Sequence, residues 1–406
     1  MAVGLNKLPK LHLVNGVQLG VSQAGIKYPD RYDLTVIGIC EGARVAAVFT
    51  QNQFCAAPVV VAKRHFSKST VRYLVINTGN ANAGNGEQGL EDAINTCKAL
   101  ASLTRVPPQA VLPFSTGVIG EKLPVERLIS ALPKVVDNLD EDNWALAAEA
   151  IMTTDTVPKG CSQTFQCAGV PVVITGIAKG SGMICPNMAT LLSFIATDAD
   201  IDQPLLQEVL ARVNRQSFNS ITVDSDTSTN DACVLIATGK GSLLINQDTE
   251  QSLVDCFVEQ LLAVMQQLAQ SLIRDAEGAS KFIAVNVRKA ASEQEARQIA
   301  YTVAHSPLVK TAFFASDPNW GRILAAIGRA GVEDLNVNAL TIFLNDVCIV
   351  ENGARAKSYS ELKGQAVMDQ QDIEIIIDLA RGEVSQTIWT SDLSHDYVKI
   401  NAEYRT

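Results

Sequence analysis

The stretch KGSGMICPNMATLLSFIATDA, residues 179–199, joins a glycine-rich turn and a proline to a long apolar run. Its simplest interpretation is a tight turn that leads into a buried strand. A phosphate-binding loop is the second interpretation. The Walker pattern, however, places Gly-Lys-Ser/Thr at the end of its loop and at the start of a helix, whereas Lys179 comes first here. A kinase or GTPase is therefore disfavoured.

Strands and helices are predicted on both sides of this stretch. Runs rich in β-branched residues predict strands over 35–39, 45–49, 59–61, 73–76, 172–174 and 282–285. Apolar residues at helical spacing predict helices over 87–104, 203–216 and about 250–273. Ser292 and Glu295 form a capping box that starts a further helix. This uneven alternation favours α/β or α+β layers over a helix bundle or an all-β sandwich.

The domain organisation is only weakly marked in the sequence. We find no short repeat, low-complexity tract or Pro/Gly/Ser linker. The composition changes near residue 280, where a succession of predicted strands and helices begins. Its members cover 282–288, 292–305, 340–346 and 373–379. We therefore predict a smaller C-terminal α/β domain over about 280–406.

The overall charge and the hydropathy pattern exclude several classes of partner. The chain has 43 acidic and 33 basic residues, a formal net charge of -10, and no cluster of lysines and arginines of the nucleic-acid-binding type. Nucleic acid and anionic membranes are therefore not expected as partners. The N-terminus lacks the apolar core of a signal peptide, and no stretch approaches 18 apolar residues. We expect a cytoplasmic protein.

Cysteine and histidine are scattered along the chain. Nine cysteines occur without a Cys-x-x-Cys pair, so neither a disulfide framework nor a zinc site is predicted, and most of these thiols are expected to be buried. The four histidines contain no His-x-x-x-His pair. Metal catalysis is therefore not indicated.

The bond between Ala189 and Thr190 has the chemistry of a self-cleaving site. In a strained turn, the Thr190 hydroxyl can attack the Ala189 carbonyl, and hydrolysis of the resulting ester leaves Thr190 as a free N-terminus. Its α-amino group, with a reference pKa of about 7.7–8.0, can then act as the general base for its own hydroxyl. Acyl chemistry is thus available to a chain without an evident Ser-His-Asp arrangement.

At this stretch the sequence resembles the ornithine acetyltransferases, also called bifunctional glutamate N-acetyltransferases, of arginine biosynthesis. The resemblance covers essentially the whole chain, although Cys185 and Ala276 stand where the family commonly has Ala and Gly. The other motifs that carry it are STGVIG at 115–120, TTDT at 153–156, DSDTSTND at 224–231, DAEGASK at 275–281, DPNWGR at 317–322 and INAEYRT at 400–406.

The resemblance implies a role for each residue that matches a family motif. Thr190 is the implied nucleophile for self-cleavage and for acetyl transfer, and Thr116 and Gly117 form the implied oxyanion hole. The implied substrate site is Thr153, Lys179, Thr190, Glu277, Asn401 and Thr406. In this assignment Lys179 pairs with a substrate carboxylate and Glu277 with the δ-ammonium of ornithine. Thr154 and Thr156 are alternatives to Thr153.

The resemblance also implies the reaction, the fold and the assembly. Thr190 takes the acetyl group of N2-acetylornithine and passes it to glutamate in a ping-pong cycle, without a bound cofactor or metal. Some family members also use acetyl-CoA, and the motifs are compatible with both types. The implied fold is a layered α/β sandwich shared with N-terminal-nucleophile aminopeptidases. Residues 1–189 and 190–406 form the implied α and β chains of a heterotetramer with two copies of each.

Several alternatives remain open at the level of sequence. The carboxylates of 224–231 suggest a divalent-cation site, but Asx and Ser/Thr turns explain the same composition. The Asn/Gly-rich loop 77–86 is expected near the active site, and Trp320 is expected to be a packing residue. Two rival functions are a hydrolase of the same fold, in which water resolves the acyl-enzyme, and a metabolite-binding protein that never cleaves.

Overall fold

The computed structural model describes residues 2–5, 7–185 and 191–403. The described residues form eighteen strands, eleven α-helices and three single-turn 3-10 helices. The strands are β1 (Val17–Ser22), β2 (Leu34–Ile39), β3 (Arg44–Phe49), β4 (Tyr73–Asn80), β5 (Val111–Val118), β6 (Lys159–Cys167), β7 (Val170–Lys179), β8 (Leu192–Thr197), β9 (Asp200–Ile201), β10 (Ile221–Thr222), β11 (Ala232–Ala237), β12 (Leu244–Ile245), β13 (Phe282–Ala290), β14 (Thr341–Leu344), β15 (Val347–Glu351), β16 (Ala354–Arg355), β17 (Asp372–Asp378) and β18 (Val384–Ser391). The helices are α1 (Ala57–Phe66), α2 (Gly86–Thr104), α3 (Val125–Asp137), α4 (Trp144–Ala150), α5 (Gln203–Arg215), α6 (Gln251–Arg274), α7 (Glu293–Ala304), α8 (Pro307–Phe314), α9 (Trp320–Gly328), α10 (Glu361–Met368) and α11 (His395–Ala402).

Two sheets form the centre of the molecule. The four-stranded sheet has the order β1-β2-β4-β5, and the five-stranded sheet has the order β3-β11-β8-β7-β6. Their inner faces share one apolar cluster, in which the rings of Phe114 and Phe194 meet edge to face at 5.3 Å. The two sheets therefore pack face to face.

Helices cover the outer face of each sheet. Apolar residues of β2 and β4 pack against α2 and α3, and those of β8 and β11 pack against α5 and α6. Along β8, Phe194 belongs to the inner cluster and Ile195 to the outer one, as the two-residue period of a strand requires. The predicted layered α/β sandwich is confirmed, and its order is helix, sheet, sheet, helix.

A third sheet and its helices lie mostly beyond residue 281. Its seven strands have the order β10-β18-β13-β17-β14-β15-β16, and a single cluster joins this sheet to α7 and α9. Trp320 packs against this cluster, as expected. The two-residue strand β10 comes from the earlier part of the chain and pairs with β18.

One predicted strand was wrong and one predicted cap is confirmed. Residues 59–61 lie in α1, because Pro58 fixes the backbone at the first helical turn and the basic residues 63–65 favour the last turn. Tertiary packing here overrides the strand propensity of three valines. The Ser292 hydroxyl accepts a hydrogen bond from the Glu295 backbone N–H at 3.1 Å, and this cap starts α7.

The cysteines depart from expectation in two ways. Cys167 and Cys256 form a disulfide with a Cα–Cα distance of 6.0 Å. The two residues are 89 positions apart in sequence and become neighbours only when α6 packs on β6, so spacing could not reveal the pair. The other departure concerns burial, because five of the nine cysteines are only half-buried.

In the part of the chain that the structure describes, no helix is both long and apolar enough to cross a membrane.

Candidate active site

Six of the predicted site residues line a single cleft of about 280 Å³. Its walls come from the ends of β5 and β7, the start of β8, and the segments before β11, after α6 and in α11. The predicted residues along it are Thr116, Gly117, Thr153, Lys179, Glu277 and Asn401. Ala189, Thr190 and Thr406 lie outside the described residues. The cleft brings together residues that are far apart in the chain.

The strand order explains why these residues meet at one end of the sandwich. β7 and β8 are antiparallel, and Lys179 at the end of β7 lies opposite Leu192 at the start of β8. β11 runs parallel to β8, with Ala232 opposite Leu192. The start of the buried strand β8 is therefore flanked by the last residue of one neighbour and the first residue of the other.

Gly117 lies where two strands of the four-stranded sheet approach each other closely. It is opposite Gly79 of β4 and has φ +134°. A Cβ at this position would lie 2.3 Å from the Gly79 carbonyl carbon. Only glycine fits this backbone, and its N–H can approach a ligand without a side chain in the way.

Lys179 joins three parts of the cleft. Its ammonium group donates to the Thr153 hydroxyl at 2.7 Å and to the Thr116 hydroxyl at 3.2 Å, and it lies 4.0 Å from the Asp155 carboxylate. Burial lowers the pKa of Lys179, and the Asp155 carboxylate opposes this effect. The buried amine of Lys179 therefore lies where it can pair with an anionic ligand.

The three neighbouring threonines have different surroundings. Thr153 accepts from Lys179, and the Thr154 hydroxyl lies 2.7 Å from the Ser181 hydroxyl. The backbone N–H and the hydroxyl of Thr156 both donate to the Asp275 carboxylate. Thr153 and Thr154 line the cleft, whereas Thr156 is occupied by a structural contact.

A buried ion network behind the cleft is a feature that the sequence did not reveal. The Lys159 ammonium lies 2.6 Å from both the Asp155 and the Asp275 carboxylates. Asp155 also accepts from the Gly180 N–H at 2.7 Å and from the Thr153 N–H at 3.0 Å. Although burial opposes ionisation, the Lys159 and Lys179 ammonium groups lower the pKa of Asp155. The network therefore fixes the backbone of Gly180, directly after Lys179, and that of Thr153.

Glu277 and Asn401 form a second polar pair. The Asn401 amide donates to the Glu277 carboxylate at 2.8 Å, and the Glu277 N–H donates to the Ser181 carbonyl at 2.8 Å. A Cβ on Gly182 would lie 2.4 Å from the same carboxylate. The glycine at position 182 therefore leaves the space that the Glu277 side chain occupies.

The acidic stretch 224–231 serves mainly as backbone support. The Asp224 carboxylate accepts from the N–H groups of Met183 and Ile184 at 2.7 and 3.0 Å, and from the Tyr397 hydroxyl at 3.1 Å. The Asn230 amide donates to the carbonyls of Ala81 and Ser115. These contacts favour the turn interpretation over a cation site. Ala81, in the Asn/Gly-rich loop, lines the cleft as expected.

Asp231 is the second feature that the sequence analysis missed. Its side chain is buried and lines the cleft beside Lys179. The stretch 224–231 was noted for its carboxylates, but nothing in the sequence distinguishes Asp231 from Asp224 or Asp226. The distinction arises only because Asp231 immediately precedes a central strand.

The two departures from the family pattern lie in different environments. The Cys185 sulfur lies 3.5 Å from Nε2 of His305, and Ala276 is buried in the cluster beneath α6. Neither residue lines the cleft.

Comparisons with known proteins extend over the whole chain. The model of the ArgJ family matches residues 18–406. The arginine biosynthesis bifunctional protein ArgJ of Pseudomonas syringae pv. tomato is 56% identical over 406 residues, which are 100% of this chain and 100% of the relative. The protein of the same name from Psychrobacter arcticus is 53% identical over 407 residues, again 100% of both chains. A crystal structure of the Bacillus halodurans protein of that name is 36% identical, covers 50% of this chain and 95% of its own, and has a TM-score of 0.47.

Proposed function

The chain belongs to the ArgJ family, and we propose that it transfers an acetyl group from N2-acetylornithine to glutamate through an acetyl-Thr190 intermediate. The observation that carries the proposal is the cleft at the start of β8. It gathers a cation, a carboxylate, hydroxyl groups and a glycine N–H around the strand that follows Thr190 in the chain. These are the groups that acyl transfer to and from a zwitterionic amino acid requires.

The first step is cleavage of the bond between residues 189 and 190. The Thr190 hydroxyl attacks the Ala189 carbonyl carbon, the C–N bond breaks, and an ester to Thr190 replaces the amide. Water then hydrolyses the ester, which leaves a carboxyl group on Ala189 and a free α-amino group on Thr190. The released amine is the general base for the second reaction.

In acetyl transfer, the Thr190 oxygen attacks the acetyl carbonyl carbon of N2-acetylornithine. Thr116 and Gly117 stabilise the oxyanion that develops on the carbonyl oxygen. Because Lys179 donates to the Thr116 oxygen, the Thr116 hydroxyl proton is free to point at this oxyanion. Ornithine leaves, and the α-amine of glutamate then attacks the acetyl-threonine ester to form N-acetylglutamate.

Two buried charges account for recognition of the substrates. Lys179 pairs with the α-carboxylate, and Glu277, oriented by Asn401, pairs with the δ-ammonium of the ornithine moiety. Both residues are 8% exposed, so their interactions are screened less than those of surface charges. The Thr153 hydroxyl supplies a further hydrogen bond beside Lys179.

The sheet order supports a stable association of the two pieces after cleavage. In the five-stranded sheet, β3, β6 and β7 belong to residues 1–189, whereas β8 and β11 belong to residues 190–406. β8 pairs with β7, and β11 pairs with β3, so strands of one piece lie on both sides of the other piece. We propose a cytoplasmic heterotetramer of two such pairs without a bound cofactor or metal.

The test is intact mass spectrometry of the purified protein, with Thr190→Ala in parallel. The expected wild-type result is two fragments that meet between residues 189 and 190. After incubation with N2-acetylornithine, we expect one added acetyl group on the C-terminal fragment. Thr190→Ala should remain whole and unacetylated. A wild type that is folded, whole and unmodified would contradict the proposal and favour the binding-protein alternative.

Two further measurements separate the remaining alternatives. With N2-acetylornithine and glutamate together, N-acetylglutamate should form much faster than free acetate, and comparable rates would favour the hydrolase. We also propose acetyl-CoA as a second acetyl donor, in keeping with the word bifunctional in the names of the relatives. Glutamate and acetyl-CoA alone should then yield N-acetylglutamate.

A further inference from the structure

Asp231 has no role in the acetyl transfer described above, although its carboxyl group lies in the cleft. The residue is 4% exposed, and no described residue forms a hydrogen bond with its Oδ2 atom. A buried polar atom without a partner has a substantial free-energy cost, so its presence in the cleft requires an explanation.

Strand register places Asp231 beside the start of β8. The Ala232 N–H donates to the Leu191 carbonyl at 2.8 Å, within the parallel pairing of β11 and β8. Neighbouring strands are about 4.8 Å apart. Asp231, one residue before Ala232, therefore lies beside Leu191, and the backbone nitrogen of Leu191 is bonded to Thr190.

Asp231 is one of three carboxylates that interact electrostatically with the Lys179 ammonium. Lys179 faces it from β7, Asp155 lies in the segment before β6, and Glu277 follows α6. The Lys179 ammonium is already hydrogen-bonded to Thr116 and Thr153. Burial raises the pKa of Asp231 well above its usual value, although Ser228 and Lys179 favour the charged form. Because burial disfavours the charged form, a further hydrogen-bond donor at this carboxyl group would favour its ionisation.

We propose that Asp231 is a positioning residue for the general base, and that its carboxylate accepts a hydrogen bond from the α-amino group that cleavage releases on Thr190. The inference rests on the proposed function, because this amino group exists only after cleavage. Ser228 already donates to this carboxyl group, and cleavage would supply a donor for its Oδ2 atom, which has no partner among the described residues.

In this proposal, Asp231 keeps the same charge throughout acetyl transfer. As the Thr190 oxygen bonds to the acetyl carbon, its proton passes to the α-amine, and the carbonyl electron pair moves to the oxyanion. The α-ammonium then gives this proton to the ornithine nitrogen as the C–N bond breaks. Asp231 stays ionised through both transfers and stabilises the transient ammonium by its opposite charge.

The test compares the cleavage and the pH profile of Asp231→Asn with those of the wild type. Asn keeps the shape of the side chain but removes the charge. We expect normal cleavage, a kcat for acetyl transfer lowered by about tenfold or more, and an ascending limb of kcat/KM displaced to lower pH. The displacement should be about one pH unit or more, because an opposite charge within 4–6 Å typically raises the pKa of an ammonium by this amount.

Asp226→Asn is the matched control, since Asp226 lies exposed in the same segment. It should leave cleavage, kcat and the pH profile unchanged. A merely structural role for Asp231 would lower activity without moving the pH limb, and that result would overturn the proposal. A folded Asp231→Asn variant that stays uncleaved would also overturn it, because the carboxyl group would then act before the amine exists.

Two further outcomes are distinguishable from these. If Asp231→Asn does not fold, Asp231→Glu is the second variant. It keeps the charge but displaces it by one methylene group. A reduced kcat and a displaced ascending limb of kcat/KM are again expected. Wild-type values for both quantities in Asp231→Glu would overturn the proposal. A wild type that neither cleaves nor transfers acetyl removes the proposed function itself, and the inference about Asp231 fails with it.

Discussion

At the scale of the residue, we expect recognition of the acetyl donor to depend on the charge of Glu277. Glu277→Gln keeps the acceptor for the Asn401 amide but removes the charge that pairs with the δ-ammonium. Hydrogen bonds to charged groups contribute about 1.5–3 kcal/mol, so the KM for N2-acetylornithine should rise by roughly 10- to 100-fold. Steady-state kinetics measure this change. Cleavage at residue 190 should be unaffected, and Glu208→Gln, at an exposed position of α5, serves as the control. An unchanged KM would contradict the assignment of Glu277.

At the scale of the element, the start of β6 depends on the buried charge of Lys159. Lys159→Met leaves the Asp155 and Asp275 carboxylates without their shared cation, which is 2.6 Å from each. Removing one partner of a buried ion pair typically costs about 3–5 kcal/mol. The midpoint of urea unfolding, followed by circular dichroism, should fall accordingly. Lys289→Met is the matched comparison, because Lys289 pairs with Asp378 at 2.7 Å on the surface. Its midpoint should change far less, since solvent screens that pair. Equal shifts in the two variants would contradict the structural role of the network.

At the scale of the whole molecule, cleavage should change the covalent structure but not the association of the pieces. Denaturing electrophoresis should separate residues 1–189 from 190–406. Size-exclusion chromatography should elute them together, at a size of two copies of each piece. Each piece contributes strands to the interior of the five-stranded sheet, so separation would break backbone hydrogen bonds and expose the shared apolar clusters. Elution of two separate pieces under native conditions would contradict the interlocked sheet. The Thr190→Ala chain should elute at the same size.

Local sequence pattern accounts for the predicted strands and helices that agree with the structure. The apolar run after residue 190 predicted the buried strand β8, and the helices over 87–104, 203–216 and 250–273 match α2, α5 and α6 to within a residue or two. Ser292 capped a helix as predicted. The family resemblance, carried over residue by residue, also named six of the residues that line the cleft.

The sequence by itself determined the periodicity of the elements and the layered α/β class of the fold. Only the tertiary structure decided which distant groups meet. Lys159 reaches Asp275 across 116 positions, Cys167 reaches Cys256 across 89, and Asp231 differs from Asp224 only through the strand that follows it. The same applies to residues 59–61, where packing in α1 prevails over three β-branched side chains. The physical reason is that propensity and side-chain chemistry act over a few residues, whereas strand order and register bring together residues that no local pattern connects.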